Sequence, residues 1–141
     1  MSRGVSPVPA GAYASAVQVG RLVVTAGMTP RRDGRLVETG VVGRDISVDR
    51  AGELTVLAVE RAITAVDASC AASARRRPVQ LTVWLRTTDD FDEHTRVADS
   101  ASALLARWGD GTLPARAAVG VTSLPGGAPV EIVLVAEVGD G

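Results

Sequence analysis

Residues 113–138 read Leu-Pro-Ala-Arg-Ala-Ala-Val-Gly-Val-Thr-Ser-Leu-Pro-Gly-Gly-Ala-Pro-Val-Glu-Ile-Val-Leu-Val-Ala-Glu-Val. The pattern is an apolar strand, a Pro/Gly turn and a second apolar strand. Each strand carries a charge where a core would prefer an apolar side chain. Arg116 opens the first strand, directly after Pro114-Ala115, and Glu131 lies between Val130 and Ile132 in the second. Side chains alternate across a strand, so Glu131, Val133, Val135 and Glu137 share one face, while Val130, Ile132, Leu134, Ala136 and Val138 share the other. A carboxylate among valines is costly unless it is paired or put to use.

Upstream of this stretch the period changes twice. Val97, Ala101, Leu104 and Trp108 predict a helix that ends at Gly109-Asp110-Gly111, with Thr87-Thr88 offering an N-cap and Asp89, Asp90, Asp92 and Glu93 in the next turn. Residues 79–85 alternate as a strand, Leu81, Val83 and Leu85 facing one way and Thr82 and Trp84 the other. Val56, Val59, Ile63, Val66 and Cys70, widened by Leu57 and Ala62, predict an earlier helix from about Ser47 or Asp49 to Ala74. Arg75-Arg76-Arg77 then reads as a solvated helix end, stopped by Pro78. Residues 30–43 read as a turn-rich loop with some extended structure. The strands Ala16–Val19 and Leu22–Ala26, joined by Gly20-Arg21 and closed by Gly27, predict an N-terminal hairpin.

The expected order is β-β-α-β-α-β-β, an α+β fold with a single mixed sheet and two helices on one face. Residues 1–10 read as a flexible arm and 11–141 as one domain. Two helices cover one face of such a sheet, yet the last strand is apolar on both. A homo-oligomer that buries the open face follows.

Composition narrows the function classes. The formal net charge is −1 over 141 residues, which leaves no basic footprint for nucleic acid. Two Trp, one Tyr and one Phe provide no platform for stacking bases. No apolar run reaches the ~18 residues that span a membrane. The N-terminus lacks the apolar centre of a secretory signal, and the single Cys70 cannot form an internal disulfide, so a cytoplasmic setting is expected. Cys70 reads as an inert core thiol on the first helix. His94, the one histidine, reads as solvated in an acidic turn and has no partner for nucleophilic catalysis. The sequence contains no phosphate loop, metal-ligand spacing or nucleophile elbow.

Pro114-Ala115-Arg116, Leu124-Pro125 and Val130-Glu131-Ile132 together resemble the C-terminal signature of the Rid family, the reactive intermediate deaminases or YjgF-like proteins. Gly11-Ala12-Tyr13 and Thr25-Ala26-Gly27-Met28 resemble its N-terminal segments less closely. The resemblance covers roughly residues 11–138. It implies a chorismate-mutase-like sheet with two helices, assembled as a homotrimer with sites between subunits. It also implies cofactor-free hydrolysis of enamines and imines to 2-keto acids and ammonia. In that reading Arg116 grips the substrate carboxylate, and Glu131 orients the water and relays its proton. Tyr13 closes the pocket, and Ala26, Gly27, Met28 and Ala118 line it.

Several positions depart from the family pattern. Ala12 replaces a proline and Ser15 a glutamine. Ala26 and Met28 stand for serine and glutamine, and Ala118 for a cysteine. These changes imply a more apolar pocket wall and a larger or more apolar imine. Other readings stay open. Arg116 and Glu131 could pair with each other as structure. The scaffold could bind a small carboxylate ligand without turnover, or serve as a specialised hydrolase or isomerase in a biosynthetic pathway. Ribonuclease activity, reported for some relatives, is disfavoured by the charge balance and the lone histidine.

Overall fold

The computed structural model describes residues 5–140. Residues 1–4 of the expected arm, and Gly141 of the expected domain, lie outside them. The elements are β1 (Ala16–Val19), β2 (Leu22–Thr25), β3 (Arg31–Arg32), β4 (Arg35–Leu36), α1 (Val48–Ala68), β5 (Arg75–Arg86), α2 (His94–Trp108), β6 (Ala115–Val121) and β7 (Val130–Gly139). Five strands form one sheet in the order β1-β2-β7-β5-β6, parallel only between β5 and β6. The expected β-β-α-β-α-β-β order holds, with one addition. Residues 31–36 form a separate two-stranded hairpin, β3–β4. Its turn residues Asp33 and Gly34 have φ of 53° and 78°. Positive φ at both central positions is the geometry that closes two-residue hairpins with the right twist.

Both helices lie against the face made by Leu81, Val83 and Leu85 of β5 and Val130, Ile132 and Leu134 of β7, all fully buried. The alternation read from β7 is therefore realised. The opposite face is uncovered in a single chain. Val19 is 71% exposed there and Leu22 43%.

Four sequence expectations need correction. Helix α1 stops at Ala68 rather than near Ala74, and Arg75–Arg77 belong to β5. Arg76 turns inward, where its Nε donates to Asp67 Oδ1 at 2.6 Å, and Trp108 Nε1 donates to the same oxygen at 3.1 Å. One carboxylate thus ties the end of α1 to the start of β5 and the end of α2. Pro78 does not stop a helix but sits in β5, beside a register shift between Pro78 and Gln80. Strand β6 begins pairing only at Gln80, so the missing N–H of Pro78 leaves no gap on that side. Thr87-Thr88 do not cap α2. The helix begins at His94, after the acidic turn. The buried stripe of α1 keeps Val59, Ala62 and Val66 of the expected face but widens through Ala51, Leu54, Ala58 and Ala65, with Val56, Leu57 and Ile63 half-buried at its flank. Small residues let α1 and α2 pack closely, and alanine carries too little hydrophobicity to announce that face.

Candidate functional site

Strand β2 pairs with β7 through Val24↔Val135, and the chain touches β7 again at Met28↔Ile132. Met28 exchanges both backbone hydrogen bonds with Ile132, at 2.8 and 2.9 Å. Between these contacts the chain bulges. Thr25 Oγ1 accepts the Leu134 N–H at 3.0 Å, and the Ala26 N–H turns away to Ser15 O at 2.8 Å. The bulge opens a window at Gly27, and the Glu131 side chain fills it. A Cβ on Gly27 would lie 2.9 Å from Glu131 Cδ and 3.0 Å from its Oε2. Gly27 is thus the residue that lets the Glu131 carboxyl lie flat against backbone.

Glu131 lines a cleft of ≈ 810 Å³ together with Tyr13, Ser15, Ala26, Gly27 and Met28. Among the described residues its carboxyl has no hydrogen-bond or ion-pair partner, and burial holds its pKa above the usual carboxylate range. A second hollow of ≈ 570 Å³ shares Tyr13, Gly27 and Glu131 but opens toward Val17 and Val24 on the uncovered face. Glu131 therefore stands at the border between the cleft and the uncovered face of the sheet.

The structure gathers Tyr13, Ala26, Gly27, Met28 and Glu131. Tyr13 is 51% exposed, and its hydroxyl accepts the Ala10 N–H at 3.1 Å. Met28 contributes to the wall, but its side chain belongs to the core at 3% exposure. Arg116 and Ala118 stand elsewhere. In-register neighbours on adjacent strands face the same side, and Arg116 is opposite Leu81, which is opposite Leu134. Arg116 therefore points to the helix side of the sheet, as does Ala118 opposite Val83. Glu131, opposite Trp84, points to the other side. The Arg116 Nη1 donates to Asp99 Oδ1 and to Ser102 Oγ of α2, both at 2.9 Å. Arg116 and Glu131 are thus not each other's ion-pair partner within the chain, and one protomer cannot bring them to the same ligand. Arg116 stands on β6, an edge strand of the sheet.

Two cations that sequence reasoning missed do line the cleft, Arg31 and Arg61. They add charge to a wall that Ala26, Met28 and Pro125 keep largely apolar. Arg31 comes from the β3–β4 hairpin, which the sequence showed only as a loop. Arg61 lies on α1, where an arginine between buried Ala58 and Ala62 reads as an ordinary helix-surface charge. His94 is not freely solvated. Its ring packs edge-on against Phe91, with centroids 5.1 Å apart, and it is absent from the cleft lining. Cys70 lies beyond the end of α1, half-buried against the core, and its thiol donates to Val66 O. Among the described residues no group of three His, Cys, Asp or Glu could hold a metal ion, and no helix is long and apolar enough to cross a membrane.

Comparison with known proteins agrees with this architecture. The chain is 32% identical over 127 residues to Protein TCP17 of Trypanosoma cruzi, covering 88% of this chain and 79% of that protein. It superposes on the Agrobacterium tumefaciens protein Atu1372, described as of unknown function, with a TM-score of 0.83 at 32% identity, covering 92% and 83% of the two chains. The Escherichia coli YjgF gene product shares the fold at 20% identity, with a TM-score of 0.60 and coverage of 94% and 92%. The pattern of the family described as Endoribonuclease L-PSP matches residues 4–138. With the two-helix sheet and the match over nearly its whole length, the chain belongs to this endoribonuclease L-PSP family, the YjgF/Rid group.

Proposed function

We propose that the protein hydrolyses a reactive imine or enamine to a carbonyl compound and ammonia, with Glu131 as the proton-transferring group. The observation that carries this reading is the unpartnered Glu131 carboxyl in the cleft, raised in pKa by burial. A carboxyl shifted in that direction exchanges protons nearer neutrality than an exposed glutamate does. Water adds its oxygen to the imine carbon while Glu131 takes its proton. That proton passes to the nitrogen, Glu131 then carries the remaining hydroxyl proton to the same nitrogen, and the C–N bond breaks as the carbonyl forms and ammonia leaves. An imine carbon is already electrophilic, so the step needs no cofactor.

Arg116 enters this reading through assembly as a homotrimer. Its Nε and Nη2 have no hydrogen-bond partner among the described residues, while Nη1 is anchored by Asp99 and Ser102. That leaves one edge of the planar fork open for two carboxylate oxygens. Arg116 of the partner subunit would then close the cleft from the side that Glu131 borders, with Tyr13 as its lid. The exposed apolar face, Val17, Val19, Leu22 and Val24, is the surface such assembly would bury.

The experiment generates short-lived imines from a panel of amino acids with an amino-acid oxidase and follows their lifetime by semicarbazide trapping. The expected result is a shortened lifetime with the wild type, lost in Glu131→Gln and Arg116→Ala by about 100-fold or more. Binding of the keto-acid product, unchanged in Glu131→Gln and without turnover by the wild type, would establish the non-catalytic ligand-binding reading instead. RNA cleavage, which the family description raises, lacks support in the cleft, because the single histidine is not part of it.

A further inference from the structure

We propose that Arg31 and Arg61 form an anion subsite in the Glu131 cleft, so that the ligand carries a second anionic group besides the one that Arg116 would hold. The subsite stands on geometry alone. That its ligand is an imine rests on the deaminase reading above.

Thr29 tethers both guanidinium groups. Its hydroxyl accepts Arg31 Nε at 3.1 Å, and its carbonyl accepts Arg61 Nη1 at 2.9 Å. Arg31 Nη1 is further fixed by Gly34 O at 3.0 Å. Thr29 itself is buried. These bonds orient the cations without neutralising them. Arg50, Arg76, Arg96 and Arg116 each meet a carboxylate. Among the described residues neither Arg31 nor Arg61 does, although Asp33 and Glu131 line the same cleft.

Burial and the charge of Arg31 both push the Arg61 pKa down. Two like charges held together and partly desolvated are costly, and the arrangement becomes favourable when an anion joins them. Arg31 Nη2 and the Nε and Nη2 of Arg61 keep N–H groups free of hydrogen-bond partners among the described residues. A carboxylate or a phosphate would accept from them. Thr64, one turn along α1 from Arg61, adds a hydroxyl to the same wall. At ≈ 810 Å³ the cleft has room for more than a three- or four-carbon imine. The substrate class that fits is an imine or enamine whose side chain ends in an anion, as one from an amino-dicarboxylate does.

Titration calorimetry tests this without requiring turnover. The probes are 2-oxobutanoate, 2-oxoglutarate and inorganic phosphate, each titrated into wild type, Arg31→Gln, Arg61→Gln, Arg61→Lys and Glu131→Gln. The expected result is that 2-oxoglutarate binds wild type about tenfold more tightly than 2-oxobutanoate. That preference disappears in both arginine-to-glutamine variants, survives in part in Arg61→Lys and is retained in Glu131→Gln. Phosphate that competes with 2-oxoglutarate and binds more tightly assigns the subsite to a phosphate-bearing ligand. Weaker phosphate binding assigns it to a carboxylate. The proposal is overturned if wild type shows no preference for the dianion, or if Gln variants that melt like wild type keep it. A dianion preference with no effect on imine lifetime removes the deaminase reading alone. Imine hydrolysis without that preference removes the subsite alone.

Discussion

The two faces of the sheet treat their charged groups differently. On the helix-covered face β5 and β7 present buried apolar side chains apart from Arg76 at the start of β5. The polar groups admitted there are paired, as in the Asp67–Arg76–Trp108 tie and the Arg116–Asp99 bridge. On the uncovered face the same strands present Glu131 and Glu137, and β1 and β2 present exposed valines and a leucine. Glu131 has no partner there, and Arg31 and Arg61 stand unneutralised in the adjoining cleft. An interior that must fold alone cannot tolerate such groups, whereas a surface waiting for a ligand or another subunit can.

The sharpest way to break this division is to remove the same side chain from each face. Leu134→Ala empties a fully buried position between β7 and the helices. It is expected to lower the unfolding free energy by about 3 kcal/mol, measured by urea denaturation, and by the same amount at every protein concentration. Leu22→Ala removes a leucine that is 43% exposed on the other face. Its cost to the fold itself is expected to stay below about 1 kcal/mol. If the open face is an interface, its effect grows on dilution and appears as dissociation in sedimentation. Equal and concentration-independent losses for the two variants would mean that the faces are not different in kind.

Gly27→Ala probes the border between the faces. The added methyl would meet the Glu131 carboxyl at 2.9 Å. That carboxyl is the free end of a flexible side chain, so it can swing away with little strain on the backbone. Turnover is expected to fall about tenfold, because a displacement below 1 Å already misaligns a proton-transfer group. The melting temperature is expected to stay within about 2 °C of wild type. A large loss of stability with normal turnover would make Gly27 a packing residue.

The sequence exposed the covered face better than the cleft, for a physical reason. Two-residue alternation in β7 and the apolar residues of β5 mark a buried sheet surface directly, and Gly20 with φ of 59° marks the first hairpin. Helix α1 is less legible, since alanines and a glycine make up much of its buried stripe and the extended Arg75–Arg77 segment follows closely after its end. Glu131 and Gly27 were legible because a carboxylate among valines and a glycine after a strand break local rules. Arg31 and Arg61 were not. They come from a hairpin and a helix 30 residues apart in the chain, and each alone looks like a surface charge. Only the fold brings them to Thr29. The opposition of Arg116 and Glu131 was likewise hidden, because strand periodicity gives the side of a residue only relative to its own strand. The β6–β5–β7 register is needed to compare them.

The smallest expected effect is the most informative about the resting state of the cleft. Burial raises the Glu131 pKa above that of the unfolded chain, so the native state binds this proton more tightly. Stability from the protonated form is complete below the unfolded value and is lost as pH rises through the folded one. Wild type therefore carries a penalty at neutral pH that Glu131→Gln lacks. The variant is expected to melt roughly 1–3 °C higher at pH 7, with the difference vanishing below about pH 4. A function-bearing carboxylate is expected to trade stability in this direction. The opposite sign at pH 7, with the variant melting lower, would mean that a cation already faces Glu131 in the native assembly. Repeating the melts in Arg116→Ala and Arg61→Gln backgrounds would identify it. If the sign reverts only without Arg116, the cation arrives across a subunit boundary, because within one chain the sheet separates the two residues.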